Sequence, residues 1–228
     1  MTDETSSEID PALLDPAMDE EVIRNRVADD ARAAVGTGST GAEERQDQYA
    51  LRLFPDTPNA RLRAQMADSM YSCGLSALAA MRASKVTAVE LHENYATHIG
   101  EALEWLASIA QRMKAYVPLP NRAACEAAVD TLLPGDILVV EGPVHVIVLT
   151  ARVDDQSVCD FITSEGGKPE VDPKTNEHGM CIHSRRMRLR VNGGRLQTGS
   201  VHDDGTVTWG RLALYQIATG KLLYADRA

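Results

Sequence analysis

Aromatic residues are scarce in this chain: two Trp, two Phe and six Tyr among 228 residues. That excludes a stacking platform for single-stranded nucleic acid, which needs several exposed rings along a basic groove. Positive charge is also in deficit. With 23 Lys and Arg against 33 Asp and Glu, the net charge of -10 argues against general affinity for nucleic acid or for an anionic bilayer. No apolar run approaches the length of a membrane span, so no membrane insertion is expected. The opening Met1-Thr2-Asp3-Glu4 is acidic where a signal peptide is basic and then apolar. The default expectation is a cytoplasmic protein, with export by a route that reads no N-terminal signal as the other course. The four cysteines (Cys73, Cys125, Cys159 and Cys181) include no CxxC pair, which excludes a zinc ribbon and a thioredoxin-type motif. No internal repeat is visible.

The charge is unevenly spread, with ten acidic and three basic side chains in residues 1–34. Residues 1–41 are expected to be a flexible acidic segment and linker, ending in Gly36-Thr37-Gly38-Ser39-Thr40-Gly41. Such a composition buries too little apolar surface to offset its ordering entropy. A helix over Glu20–Ala34, docked on the domain, is compatible with the pattern, and the acidity suits a protein partner.

Residues 42–228 are expected to form one domain. Helical periodicity covers Ala42–Leu53, Asn59–Met66, Cys73 to about Ala83, and Val86–Val117 in two pieces broken near Gly100. Pro118-Leu119-Pro120 ends that run, and Asn121 can cap a short helix over Arg122–Leu132. From Pro134 the character changes. Asp136–Val140, Val144–Arg152 and Ser157–Ser164 read as sequential antiparallel strands, followed by a polar loop over Glu165–Met180. Cys181–Val191 and Arg195–Gln197 bracket Asn192-Gly193-Gly194, a hairpin signal. Val201–Trp209, Arg211–Ile217 and Leu222–Tyr224 add further strand. Helices first and strands afterwards imply an α+β fold, with helices packed on one face of an antiparallel sheet.

Two stretches carry the chemistry. Ser72-Cys73-Gly74-Leu75 sets a cysteine at the start of a helix, with Ser72 as N-cap, and a helix N-terminus favours the thiolate. Gly142-Pro143-Val144-His145-Val146-Ile147 sets a histidine near the start of a buried strand, where its imidazole can accept the Cys73 proton. His145, Ile147 and Leu149 share one face of that strand, and Val144, Val146 and Val148 the other. Taken alone, Cys73 reads as a small core residue and His145 as a satisfied core histidine. Together, in these contexts, they read as nucleophile and base. A third group normally orients the imidazole. Asp160, Thr163 and Glu165 are the candidates, and Glu165 is chosen because it closes its strand just before Gly166-Gly167.

These segments, together with Leu133-Pro134-Gly135-Asp136-Ile137-Leu138-Val139, resemble the NlpC/P60 and CHAP group of papain-like cysteine peptidases. The resemblance covers about residues 66–165. It implies a papain-like NlpC/P60-type fold, Cys73 as nucleophile, His145 as base and Glu165 as orienter. It also implies a peptide or peptidoglycan-stem substrate. Tyr71 and Ser72 stand where that group usually carries an aspartate before its cysteine.

His178, Cys181 and His183 form a loose ligand cluster that Cys159 could join. No second ligand motif accompanies them, so neither metal nor cofactor is expected. Cys159 and Cys181 are a candidate disulfide under oxidising conditions. Arg186, Arg188 and Arg190 share a strand face opposite Met187 and Leu189, with Arg185 and Arg195 close by. That stripe suits either a carboxylate-bearing partner or an edge strand protected by charge. The leading expectation is thiol-dependent hydrolysis of an amide or peptide bond through a Cys73 acyl-enzyme. The rivals are a non-catalytic binding or assembly module, and a transferase or deamidase using the same pair.

Overall fold

Strands adjacent in sequence tend to pair, and here they do so from the second strand to the seventh, after which the seventh returns to the second. The computed structural model describes residues 20–38, 43–53, 102–141, 145–153, 159–167 and 181–222. Strand β2 (Ile137–Val140) pairs antiparallel with β3 (His145–Arg152), and β3 with β4 (Cys159–Gly167). Next, β4 pairs with β5 (Cys181–Asn192), β5 with β6 (Arg195–Val201) and β6 with β7 (Val207–Ile217). Pairing of β7 with β2 closes a six-stranded barrel, and β1 (Tyr116–Pro118) adds a seventh strand along the end of β7. The described helices are α1 (Glu20–Ala33), α2 (Glu43–Leu53), α3 (Ala102–Arg112) and α4 (Arg122–Thr131), with a 3-10 turn at Thr219–Lys221.

This corrects the expected α+β architecture. Among the described residues the fold is mostly β, and the sheet closes on itself instead of offering one open face to a layer of helices. Strand β7 is the cause. It pairs with β6 over Val207–Leu212 and with β2 over Ala213–Ile217, so the pairing staggers along one long strand. Register shifts at Val139/Val140 and Gln197/Gly199 bend the strands where they meet it. A closed sheet fills its own interior: Leu138, Val140, Ile147, Leu149, Phe161, Met187, Leu189, Leu196 and Ala213 form the core with Leu119, Cys125, Ala128 and Leu132.

Helix α4 packs near the β5–β6 hairpin. Its N-cap is Asn121, whose Oδ1 accepts from the Ala124 amide at 3.0 Å, as the sequence predicts. The Cys125 thiol lies 3.7 Å from the Gly194 carbonyl oxygen. The hairpin itself turns at Gly193 (φ 57°) and Gly194 (φ 78°), where two positive φ values match the twist of the flanking strands.

Helix α1 lies on the outside of the barrel, against β3. Ile23, Val27, Ala28 and Ala31 form its buried stripe, and Ile23 and Val27 each contribute about 2 kcal/mol by leaving water. Polar ties hold the helix in place. Ser164 Oγ donates to the Ala31 carbonyl at 2.8 Å, and Arg32 Nη2 donates to the Thr150 carbonyl at 3.2 Å. The Ile182 amide donates to the Thr37 carbonyl and the Gly36 amide to that of Ile182, both at 2.8 Å. Gly135 (φ 94°) makes the approach feasible, since a Cβ there would lie 2.2 Å from the Arg24 carbonyl oxygen. The helical part of the acidic N-terminal stretch is thus docked on the outside of the barrel.

Local differences from the sequence expectations have local causes. Tyr116 and Val117 belong to β1, because β7 offers them a pairing edge. Strand β4 runs on through Glu165–Gly167, paired with His183–Cys181, where a loop was expected. A turn at His202–Thr206 interrupts the expected Val201–Trp209 strand, with the His202 amide donating to Thr206 at 2.9 Å. Leu222 caps a 3-10 turn, and the rest of the expected Leu222–Tyr224 strand lies outside the described residues. The expected helices Asn59–Met66, Cys73–Ala83 and the first piece of Val86–Val117 lie outside the described residues. No described helix is long and apolar enough to cross a membrane.

Candidate active site

Alternation along β3 sends His145 to the same side as Ile147 and Leu149, which face the barrel interior. Alternation along β4 does the same for Phe161, Thr163 and Glu165. His145 Nε2 lies 2.8 Å from Glu165 Oε2, with the two side chains 13% and 3% exposed. Glu165 is further held by Arg185 on β5, whose Nε donates to Oε1 and whose Nη2 donates to Oε2 at 3.0 Å. Arg185 Nη1 in turn donates to Ser200 Oγ on β6 at 2.6 Å. The Thr163 hydroxyl lies 3.1 Å from Glu165 Oε1 and 3.2 Å from the Arg185 carbonyl oxygen, which share its proton.

This arrangement fixes protonation states. Burial, the largest influence on the Glu165 carboxyl, pushes its pKa up. The His145 hydrogen bond and the charge of Arg185, joined by those of His145 and His183 when these rings are protonated, outweigh burial and hold it below the usual carboxylate range. An ionised carboxylate only accepts hydrogen bonds. His145 Nε2 therefore carries a hydrogen toward Oε2, and in the neutral ring Nδ1 is the basic nitrogen. A His–carboxylate pair of this kind orients an imidazole for general-base work and stabilises the imidazolium that forms.

The other two candidates for the third position sit differently. Thr163 shares the inner face and is bonded to Glu165 itself. Asp160 alternates to the outer face, where Arg186 Nε donates to it at 2.7 Å and Arg188 donates through Nε at 2.7 Å and Nη2 at 3.0 Å. Burial pushes the Asp160 carboxyl up, but hydrogen bonds from Arg188 and Arg186 and their charges bring it below its ordinary value. The arginine stripe thus finds its acidic partner on the neighbouring strand. Strand β5 is no edge, being paired on both sides. Farther along the stripe, Arg190 stacks 3.7 Å above the Trp209 ring, and Gly199 leaves the room that ring occupies.

The chosen nucleophile, Cys73, lies outside the described residues, as do His178, Gly179 and Met180. Among the described residues no group of three metal-ligating side chains gathers. Cys159 pairs across from Leu189 and Cys181 from Gly167, so the two cysteines stand at opposite ends of the β4–β5 ladder, too far apart for a disulfide. Sequence reasoning missed Arg185 and His183 as neighbours of Glu165. The signal was there in alternation: Arg185 and His183 share the parity of the buried Met187 and Leu189. Comparison with protein-family models, curated proteins and solved structures finds no match.

Proposed function

We propose that the chain is a thiol-dependent hydrolase that cleaves an amide or peptide bond through an acyl-enzyme on Cys73, with His145 as base and Glu165 as orienter. The observation that carries this reading is the 2.8 Å contact between His145 Nε2 and an ionised Glu165. That pairing leaves the proton-accepting role to Nδ1. Thiolate attack on the carbonyl forms the acyl-enzyme and expels the amine, which takes the proton held by His145. Water, deprotonated by the same imidazole, then releases the acid and frees the thiol. Wall stem peptide as substrate follows from the motif resemblance alone.

The test is alkylation of the full chain with iodoacetamide, followed cysteine by cysteine by mass spectrometry across a pH series. An ordinary thiol slows about tenfold per pH unit below its pKa of about 8.5. Cys73 is expected to keep reacting at about pH 6 and to lose that advantage in His145→Ala. Identical pH profiles at all four cysteines would contradict the proposal.

A second reading is favoured by Arg185. Its two-point contact already neutralises Glu165, as in a buried ion pair that specifies a fold. On that reading the polar cluster holds a non-catalytic binding or assembly module together. His145→Ala would then lower stability without changing Cys73 reactivity.

A further inference from the structure

Glu165 sits at the meeting point of three strands, and every hydrogen-bonding direction of its carboxylate is used. Oε1 takes Arg185 Nε and Thr163 Oγ1, and Oε2 takes His145 Nε2 and Arg185 Nη2. Among the described residues, the charged and titratable groups facing it are His145 from β3 and His183 and Arg185 from β5. Of these, only Arg185 is charged at every accessible pH. Its side-on fork sets the plane of the carboxylate, and the Ser200 hydroxyl 2.6 Å from Nη1 sets the plane of the fork.

We propose that Arg185, braced by Ser200, is a positioning residue: it keeps Glu165 ionised and aimed at His145 Nε2, and so keeps Nδ1 able to accept a proton near neutral pH. This rests on His145 being the base. With the guanidinium gone, Glu165 is a buried carboxylate without its permanent counter-charge, and the Glu165–His145 pair takes up a proton at higher pH. Two placements of that proton exist. On the imidazole it makes an imidazolium. On the carboxyl it turns Glu165 into a donor to Nε2 and moves the ring hydrogen to Nδ1. Both put a hydrogen on Nδ1, so both remove the acceptor.

The experiment is a pH titration of the His145 ring nitrogens by long-range 1H–15N NMR on the full chain in a Cys73→Ala background, where that thiol does not titrate alongside. Arg185→Met is expected to raise the midpoint of Nδ1 protonation by at least about one pH unit, and Arg185→Lys by less, because it keeps the charge and loses the fork. Ser200→Ala removes only the brace, and a rise of a few tenths of a unit is expected there. An unchanged midpoint in folded Arg185→Met overturns the proposal, leaving Arg185 a packing residue. If that variant does not fold, an unchanged midpoint in Ser200→Ala overturns it instead. Failure of the hydrolase reading shows separately: Cys73 alkylation in the parent chain would not depend on His145, while the NMR shifts would persist.

Discussion

Replacing Asp136 with asparagine should make the protein more stable at neutral pH and leave it nearly unchanged in acid. Asp136 follows Gly135 at the start of β2 and is 2% exposed. Its Oδ2 accepts from the Leu133 amide at 3.1 Å and from Gln216 Nε2 at 2.9 Å, while Oδ1 and Gln216 Oε1 are buried acceptors that meet no donor among the described residues. Burial dominates and pushes the carboxyl pKa up from 3.8 to about 6, against the Leu133 amide, the Arg24 charge and the Gln216 hydrogen bond. A rise of about two units is worth about 3 kcal/mol. Below pH 3.8 the group is neutral in both folded and unfolded chains, and that stability is fully present. As pH climbs from there toward 6 the unfolded chain ionises first, stability falls, and above about 6 the whole cost applies. Asparagine stays neutral throughout and keeps an acceptor for Leu133 and Gln216. Urea unfolding followed by circular dichroism should therefore show the variant ahead by up to about 3 kcal/mol near pH 8 and by little near pH 4. A variant less stable than its parent at pH 8, or one with the same gap at both values, would refute the reasoning.

Gly135→Ala should cost more than about 3 kcal/mol, through its positive φ and the contact with the Arg24 carbonyl, and hydrogen exchange in α1 should rise before that in the barrel. Gly205→Ala, with a similar φ in open space, should cost only about 1–2 kcal/mol, and equal costs would contradict the close-approach argument. Asp160→Asn leaves Arg186 and Arg188 without their carboxylate and should lose about 1–2 kcal/mol at neutral pH, solvent screening included. Because the folded carboxyl lies below its ordinary value, that contribution exists above the unfolded pKa and vanishes as pH falls through the folded one, so the gap should close in acid unfolding. Glu165→Gln keeps the shape and removes the charge, and Cys73 alkylation near pH 6 should slow on the order of 100-fold. An unchanged rate would exclude an orienting role.

Some of this protein is legible in short windows of sequence. Asn121 before an Ala-rich run, Asn192-Gly193-Gly194 between two alternating runs, and alternation along His145–Leu149 are local signals, and the folded chain uses each of them. Closure is not local. It depends on β7 reaching β2, which pairs Ile217 with Ile137 across eighty positions, and no period in either strand encodes that choice. An open sheet and a barrel share the same alternation, so the pattern alone predicts helices layered on one open face, where the closed barrel instead carries α1 on its outside against β3. Its place at the strand end singles out Glu165 over Asp160, and the structure sets Glu165 against His145 while Asp160 faces Arg186 and Arg188. Arg185 was hidden by its neighbours: three arginines of the opposite parity drew it into a surface stripe, although it shares the buried side of Met187 and Leu189.

The most direct measurement is the distance from Cys73 Sγ to His145 Nδ1 in crystals of the full chain, with and without a peptide aldehyde bound. A nucleophile–base pair requires a separation of about 3–4 Å, with Glu165 still on Nε2 and the aldehyde carbon bonded to sulfur. A sulfur sealed among aliphatic side chains, far from the ring and unreacted, would contradict it.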